Sequence, residues 1–269
     1  MKNAVSRSTF GGLDHVVINT MRDMDAAAVA FTILGFRLTP RGHHSLGSIN
    51  HLMMTPGPYL ELVGVPPEGL QRQDVVDSPF GLNGLVIACA DADATFASLE
   101  QTGLPVEPPV AFSRPVTFSG QTEVAEFRTV RFPAACFPAG RIYHCEHLTP
   151  DLIWRPEWQV HPNGFCRISK LVVTSPDPAM DVDRYAAACN AVAHQDREGW
   201  FVPLGDFRLD VVPGPVARFM ELDLLFGTLD EIERRAVAMP NVVWVRQAAT
   251  CATLRLAEFN LSLTCRSPR

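Results

Sequence analysis

The feature that most constrains this chain is a pattern that keeps restarting. Residues 13–20 read Leu-Asp-His-Val-Val-Ile-Asn-Thr, β-branched and alternating, which predicts a strand with Leu13, His15, Val17 and Asn19 on one face. Asp23 or Asp25 can then cap a helix over residues 26–34, and Gly35 is its expected stop. A second strand begins at residues 36–39, a polar loop covers 41–45, and a third strand lies at 50–54. Thr55-Pro-Gly-Pro58 has the chemistry of a turn into a fourth strand at 59–65, which carries Glu61. The unit is strand, helix, strand, strand, strand.

Leu82 stands 69 residues after Leu13 and opens the pattern again. A strand at 82–90, a helix capped by Asp91 or Asp93 and ending at Gly103, and strands at 106–116, 123–132 and 140–148 complete the second unit. Set against the first, it places Gly84 where His15 stands and Glu146 where Glu61 stands. A third start falls at Cys166, with an alanine-rich helix over 178–190 and Lys170 at the His15 position. A fourth falls at Arg218, with a helix over 229–238 and strands at 242–245, 252–257 and 261–265. Residues 151–164 hold two tryptophans among prolines and read as an ordered linker. The expected layout is therefore residues 1–150 and 165–269 as two domains of two units each.

Composition narrows the function. A net charge of −6 gives no electrostatic footprint for nucleic acid or anionic membrane. There is no apolar run of membrane-spanning length and no secretory h-region near the start. Seven cysteines without a Cys-x-x-Cys pair argue against a disulfide framework or a thiolate zinc site, and a reducing cytoplasm is the expected location. No Walker loop, Gly-x-Ser-x-Gly elbow or Gly-x-Gly-x-x-Gly is present.

Leu13-Asp-His-Val-Val, Gly35-Phe and Tyr59-Leu-Glu-Leu-Val, set in this repeat, resemble the vicinal oxygen chelate superfamily of glyoxalases, extradiol dioxygenases and related enzymes. His43-His-Ser-Leu-Gly-Ser-Ile-Asn50, Cys145-Glu-His-Leu-Thr-Pro150 and residues 154–164 narrow the resemblance to its glyoxalase-like domain branch. The resemblance implies an α+β fold in which paired βαβββ units form cupped, barrel-like mixed sheets, four units in all. It also implies a divalent metal held by the first and last strands of each unit. Carried over, those positions are His15, Glu61, Gly84 and Glu146, and Gly84 has no side chain to offer.

One histidine and two carboxylates suit Mn²⁺, Fe²⁺ or Mg²⁺ better than a sulfur- or histidine-rich zinc site, with Ni²⁺ and Zn²⁺ also to be tested. His144 shares a strand face with Glu146 and is read as a fourth ligand or a base; His147 should point away. His43 and Asn50 are read as serving the substrate, with Ser48 and Asn50 alternatively capping a turn. Tyr59, on the face of Glu61, can donate to a bound oxyanion or pack as a core ring. Two functions are carried forward. One is a metal-dependent lyase, isomerase or ring-cleaving dioxygenase acting on vicinal oxygens of a small molecule. The other is a metal-free protein that sequesters a small molecule or drug in the same cup. A homodimer is compatible with either.

Overall fold

The computed structural model describes residues 10–268. Two eight-stranded mixed sheets form its framework. The N-terminal sheet uses β1 (Phe10–Met21), β2 (Gly42–His43), β3 (Ile49–Met53), β4 (Tyr59–Gly64), β5 (Gly81–Cys89), β6 (Val110–Phe118), β7 (Gln121–Arg131) and β8 (Arg141–His147), in the order β2-β3-β4-β1-β5-β8-β7-β6. The C-terminal sheet uses β9 (Phe165–Ser175), β10 (His194–Gln195), β11 (Trp200–Leu204), β12 (Phe207–Pro213), β13 (Arg218–Phe226), β14 (Val242–Ala248), β15 (Cys251–Leu256) and β16 (Leu261–Arg266). Its order, β10-β11-β12-β9-β13-β16-β15-β14, repeats the first. In each, the two central strands are antiparallel and each pairs in parallel with the last strand of its own unit.

The helices are α1 (Met24–Ile33), α2 (Gln73–Val76), α3 (Ala92–Glu100), α4 (Pro178–Ala188) and α5 (Asp230–Val237). Gly35 follows α1 at φ +83°, a conformation that glycine adopts without a Cβ penalty. Asp91 caps α3 by accepting from the N–H groups of Asp93 and Ala94. The expected second strand at 36–39 is not formed; the chain there is irregular, and the strand is the two-residue β2 further on. The strands between α4 and β13 and the short helix α2 carry no clear signal in the sequence.

The helical faces and the outer faces of both sheets share one hydrophobic core, which runs from Leu13, Val16 and Phe31 through Leu171, Leu209 and Leu263. A separate cluster fills the concave side of the N-terminal sheet, including Val17, Tyr59, Val63, Phe127, Tyr143 and Cys145. The segment between the sheets is ordered. His161 accepts the Arg37 N–H at Nδ1 (2.9 Å), so its Nε2–H donates to the Met54 carbonyl (2.7 Å), while Asn163 Nδ2 donates to Leu34 O. No helix among the described residues is long and apolar enough to cross a membrane. The cysteines are all free thiols.

Candidate functional site

A break in strand period builds the site. Leu13 pairs with Ile87 and His15 with Val86, so β1 advances two residues while β5 advances one, and Asp14 is the extra residue of a β-bulge. Leu13 therefore packs in the outer core with Val16 and Ile18, not on the face of His15 as strict alternation predicts. Asp14 and His15 are side by side and buried: His15 Nδ1 donates to Asp14 Oδ1 at 2.5 Å. On its other side, His15 Nε2 lies 3.4 Å from Glu61 Oε2, across the parallel ladder in which His15 faces Tyr59.

The pair has a well-defined surround. Tyr59 stacks on the His15 ring at 4.5 Å between centroids. Asn50 Nδ2 donates to Glu61 Oε1 (2.6 Å) and approaches His44 Nε2 (3.4 Å), leaving His44 Nδ1–H to donate to Ser48 Oγ (2.8 Å). His147 Nε2 donates to Asp14 Oδ1 at 3.1 Å. Trp154, from the segment between the sheets, packs edge-on against Tyr59 and His147 and donates its indole N–H to Gly57 O. His15, His44, Asn50, Tyr59 and Glu61, with Arg72, Arg114 and Ile153, line a cavity of about 30 Å³, room for one or two waters.

Electrostatics follow from this packing. Burial alone would push the His15 imidazole down, but hydrogen bonds and charges from Asp14 and Glu61 hold it up at about 9. Burial would raise both carboxyls; hydrogen bonding to the histidines keeps Asp14 well below the usual carboxylate range and Glu61 down to about 2. Burial holds the Tyr59 hydroxyl well above its ordinary value and lowers His44 to about 3, so both stay neutral. Arg114 Nη2 and Asn50 Oδ1 are buried with no hydrogen-bond partner among the described residues. The chain's own proton on His15 Nε2 thus sits where a cation could bind, with Asp14 behind the ring in the orienting position that carboxylates take behind metal-bound histidines.

Three sequence expectations are corrected by the pairing of β8 and a fourth by that of β2. Gly84 pairs with Arg141 as His15 pairs with Tyr59, so the counterpart of Glu61 is Tyr143, not Glu146. Tyr143 and Cys145 face the cup, and Glu146 is on the outer face, where it accepts the Ala92 N–H at the start of α3 and lies 3.6 Å from Arg128. His144 shares that outer face as predicted, but there it bonds the Ala188 carbonyl at 2.8 Å, and burial lowers it to about 4. His147, expected to point away, joins Asp14 in the cup. His43 is exposed on β2; its neighbour His44 lines the cavity. A one-residue difference in register moves every side chain to the other face, and only the pairing reveals it. Gly84 itself has no room for a ligand, because a Cβ there would meet Val17 Cβ at 2.8 Å.

Of the expected residues, then, the fold brings together His15, Glu61, Asn50 and Tyr59. Asp14, His44, Arg72, Arg114, Tyr143, Cys145 and His147 join them without having been singled out for the site. Asp14, Cys145 and His147 form a second donor group, with ligand atoms all within 4.8 Å of one another. Asp14 already serves both histidines, and burial holds the Cys145 thiol well above its ordinary range. A cation there would have to displace that proton, so this group fits a metal less readily than His15 and Glu61.

The profile of the glyoxalase-like domain family matches residues 13–189. Among solved structures, a hypothetical protein from Staphylococcus aureus superposes with a TM-score of 0.70 at 12% identity, over 96% of this chain and 99% of the other. A Mn(II)-bound glyoxalase from Novosphingobium aromaticivorans gives 0.60 at 13% identity, over 97% and 83%. A mutant of 4-hydroxymandelate synthase from Streptomyces coelicolor gives 0.56 at 13%, over 97% and 93%. At these identities the likeness is one of fold. No curated protein matches the sequence significantly. With the repeated unit, the cupped sheet and a family match over most of its length, the chain belongs to the glyoxalase-like domain family of the vicinal oxygen chelate superfamily.

Proposed function

We propose that this protein is a metal-dependent small-molecule enzyme of glyoxalase or dioxygenase type, with a divalent cation held by His15 Nε2 and Glu61 in the N-terminal cup. The observation that carries this reading is the convergence of Nε2 and a Glu61 oxygen at 3.4 Å on the cup wall, with Asp14 fixing the ring from behind. The donor set, one imidazole with oxygens, suits Mn²⁺ or Fe²⁺. A bound cation would supply Lewis acidity to adjacent oxygens of a substrate, the chemistry shared by lyase, isomerase and ring-cleaving reactions. The chain's own residues would do the rest. Asn50 holds Glu61, Tyr59 and Trp154 exclude water from the His15 ring, and Arg114 presents an unpartnered buried N–H to a substrate oxyanion. At about 30 Å³ the cavity is too small for an organic substrate, so side chains that line it, Ile153 among them, would have to move for one to enter.

A metal-free binding protein is the second reading. It is favoured by the half-set of ligands, since the counterparts of His15 and Glu61 in the second unit are Gly84 and Tyr143.

Calorimetric titration of chelator-treated protein with Mn²⁺ and Fe²⁺ separates the two. Saturable one-to-one binding that is lost in His15→Ala supports the enzyme. Because the cation must displace the Nε2 proton, affinity should rise with pH up to about 9. Absence of binding by wild type across that range would leave the binding-protein reading.

A further inference from the structure

Below the cup, at the end of β7 and the start of β8, lies a second and much larger cavity of about 550 Å³. That is within the range of roughly 300–1,000 Å³ typical of small-molecule sites. One wall is apolar, built from Phe132, Phe137 and three prolines, Pro79, Pro133 and Pro138. The other carries Arg131, Arg141 and Tyr143, and Tyr143 also lines the cup.

The guanidiniums of that wall are only partly partnered. Asp74 takes a two-point ion pair from Arg72 (2.6 and 2.7 Å) and has Arg141 Nη1 at 3.7 Å. Arg131 is close enough to contribute to holding the Asp74 carboxyl low, although burial opposes it and the Arg72 hydrogen bonds contribute more. Three guanidiniums thus share one half-buried carboxylate. The two other carboxylates of the lining, Asp77 and Glu107, are exposed. Arg141 Nε is committed to Asn83 Oδ1 and Arg131 Nε to Thr129 Oγ1, yet the Nη2 of each is buried with no acceptor among the described residues. A buried guanidinium nitrogen without an acceptor is costly. The loop that closes the cavity is pinned from β1: buried Asn19 donates through Nδ2 to the carbonyls of Val75 (2.9 Å) and Pro79 (3.2 Å).

We propose that this cavity binds a small organic oxyanion, its charged head on Arg131 and Arg141 and its aromatic or aliphatic body against Phe132, Phe137 and the prolines. Planar guanidinium donors suit carboxylate, phosphonate and sulfonate heads alike. The proposal needs no metal and stands or falls separately from the reading of the cup.

The test is calorimetry in EDTA with benzoate, phenylphosphonate, benzamide and inorganic phosphate as probes. Benzoate or phenylphosphonate should bind in a salt-sensitive manner, and the tighter of the two identifies the head. Benzamide and inorganic phosphate should bind at least tenfold more weakly, one lacking the charge and the other the body. Arg131→Gln should weaken the anion at least tenfold. Ala134→Trp should do the same by filling the cavity from an exposed position, with no charge changed. No binding of either organic anion, equal binding of benzamide or inorganic phosphate, or binding unaffected by Ala134→Trp would overturn the proposal.

Discussion

The N-terminal cup sets His15 and Glu61 3.4 Å apart; the C-terminal sheet sets Lys170 and Asp210 3.6 Å apart at the same two ladder positions. The correspondence comes from the pairing: His15 faces Tyr59 and Lys170 faces Arg208, and the carboxylate is two residues further on in each case. Both pairs are opposite charges on adjacent parallel strands, but their chemistry differs. An imidazole can release a proton and offer a lone pair, whereas an ammonium offers only donors. Around Lys170 the remaining carboxylates are consumed by fixed cations, Asp210 by Arg208 and Asp223 by Arg266. Around His15 the neighbours include Asp14, a histidine, an amide and a tyrosine ring, with Arg72, Arg114 and Ile153 also on the cavity wall. The same fold thus makes an ion-pair network in one sheet and a shielded donor pair in the other. Function here follows from side chains at equivalent positions, not from the architecture.

Substitutions at the two equivalent positions should break this comparison most visibly. His15→Ala leaves Asp14 and Glu61 as buried carboxylates without their shared partner, and should cost on the order of 3–5 kcal/mol in chemical denaturation. Lys170→Ala, at a side chain about one quarter exposed, should cost less than about 1 kcal/mol, because Arg208 and Arg266 still hold the carboxylates. Equal costs would mean that the two cups are energetically alike. Asp14→Asn keeps the shape but weakens the orienting bond behind His15, and should lower cation affinity by about 10–100-fold. Glu146→Gln should leave cation affinity unchanged.

Acid should act on the neutral histidines of both faces, His44 in the cup as well as His144 outside it. His144 and His161 are buried as neutral rings bonded to backbone carbonyls, and burial lowers both. A histidine with a depressed folded-state value takes up its proton more readily when unfolded. Its contribution is therefore full above about 6.5 and is lost as pH falls, for His144 down to about 4. The midpoint of urea unfolding should drop across that window, and His144→Gln should flatten the drop. A purely steric effect is expected at Gly84. Gly84→Ala forces a Cβ against Val17 at the β1–β5 crossing and should cost about 1–3 kcal/mol without touching His15.

Much of the fold is legible in the sequence because its signals are local. Asp91 caps α3, Gly35 ends α1, and the strands that open the first and third units can be found from their β-branched residues. The site is less legible because its geometry is not local. Nothing in Leu13-Asp-His marks Asp14 as a bulge, yet the bulge alone brings Asp14 beside His15 and sends Leu13 to the other side. In Tyr143-His-Cys-Glu-His147 both faces carry metal-capable groups, so alternation cannot choose between them, and the family resemblance points to Glu146. Likewise, nothing distinguishes His43 from His44 until β2 pairs with β3 and leaves one exposed. Arg114 and Arg131 become visible as candidates only when burial leaves their nitrogens without acceptors.

Crystals soaked in Mn²⁺, with anomalous data collected on either side of the manganese edge, test the central claim most directly. The account predicts one strong peak in the N-terminal cup within about 2.3 Å of both His15 Nε2 and a Glu61 oxygen, and none beside Lys170 and Asp210. A peak at Asp14, Cys145 and His147 instead, or no peak in the cup at all, would contradict it.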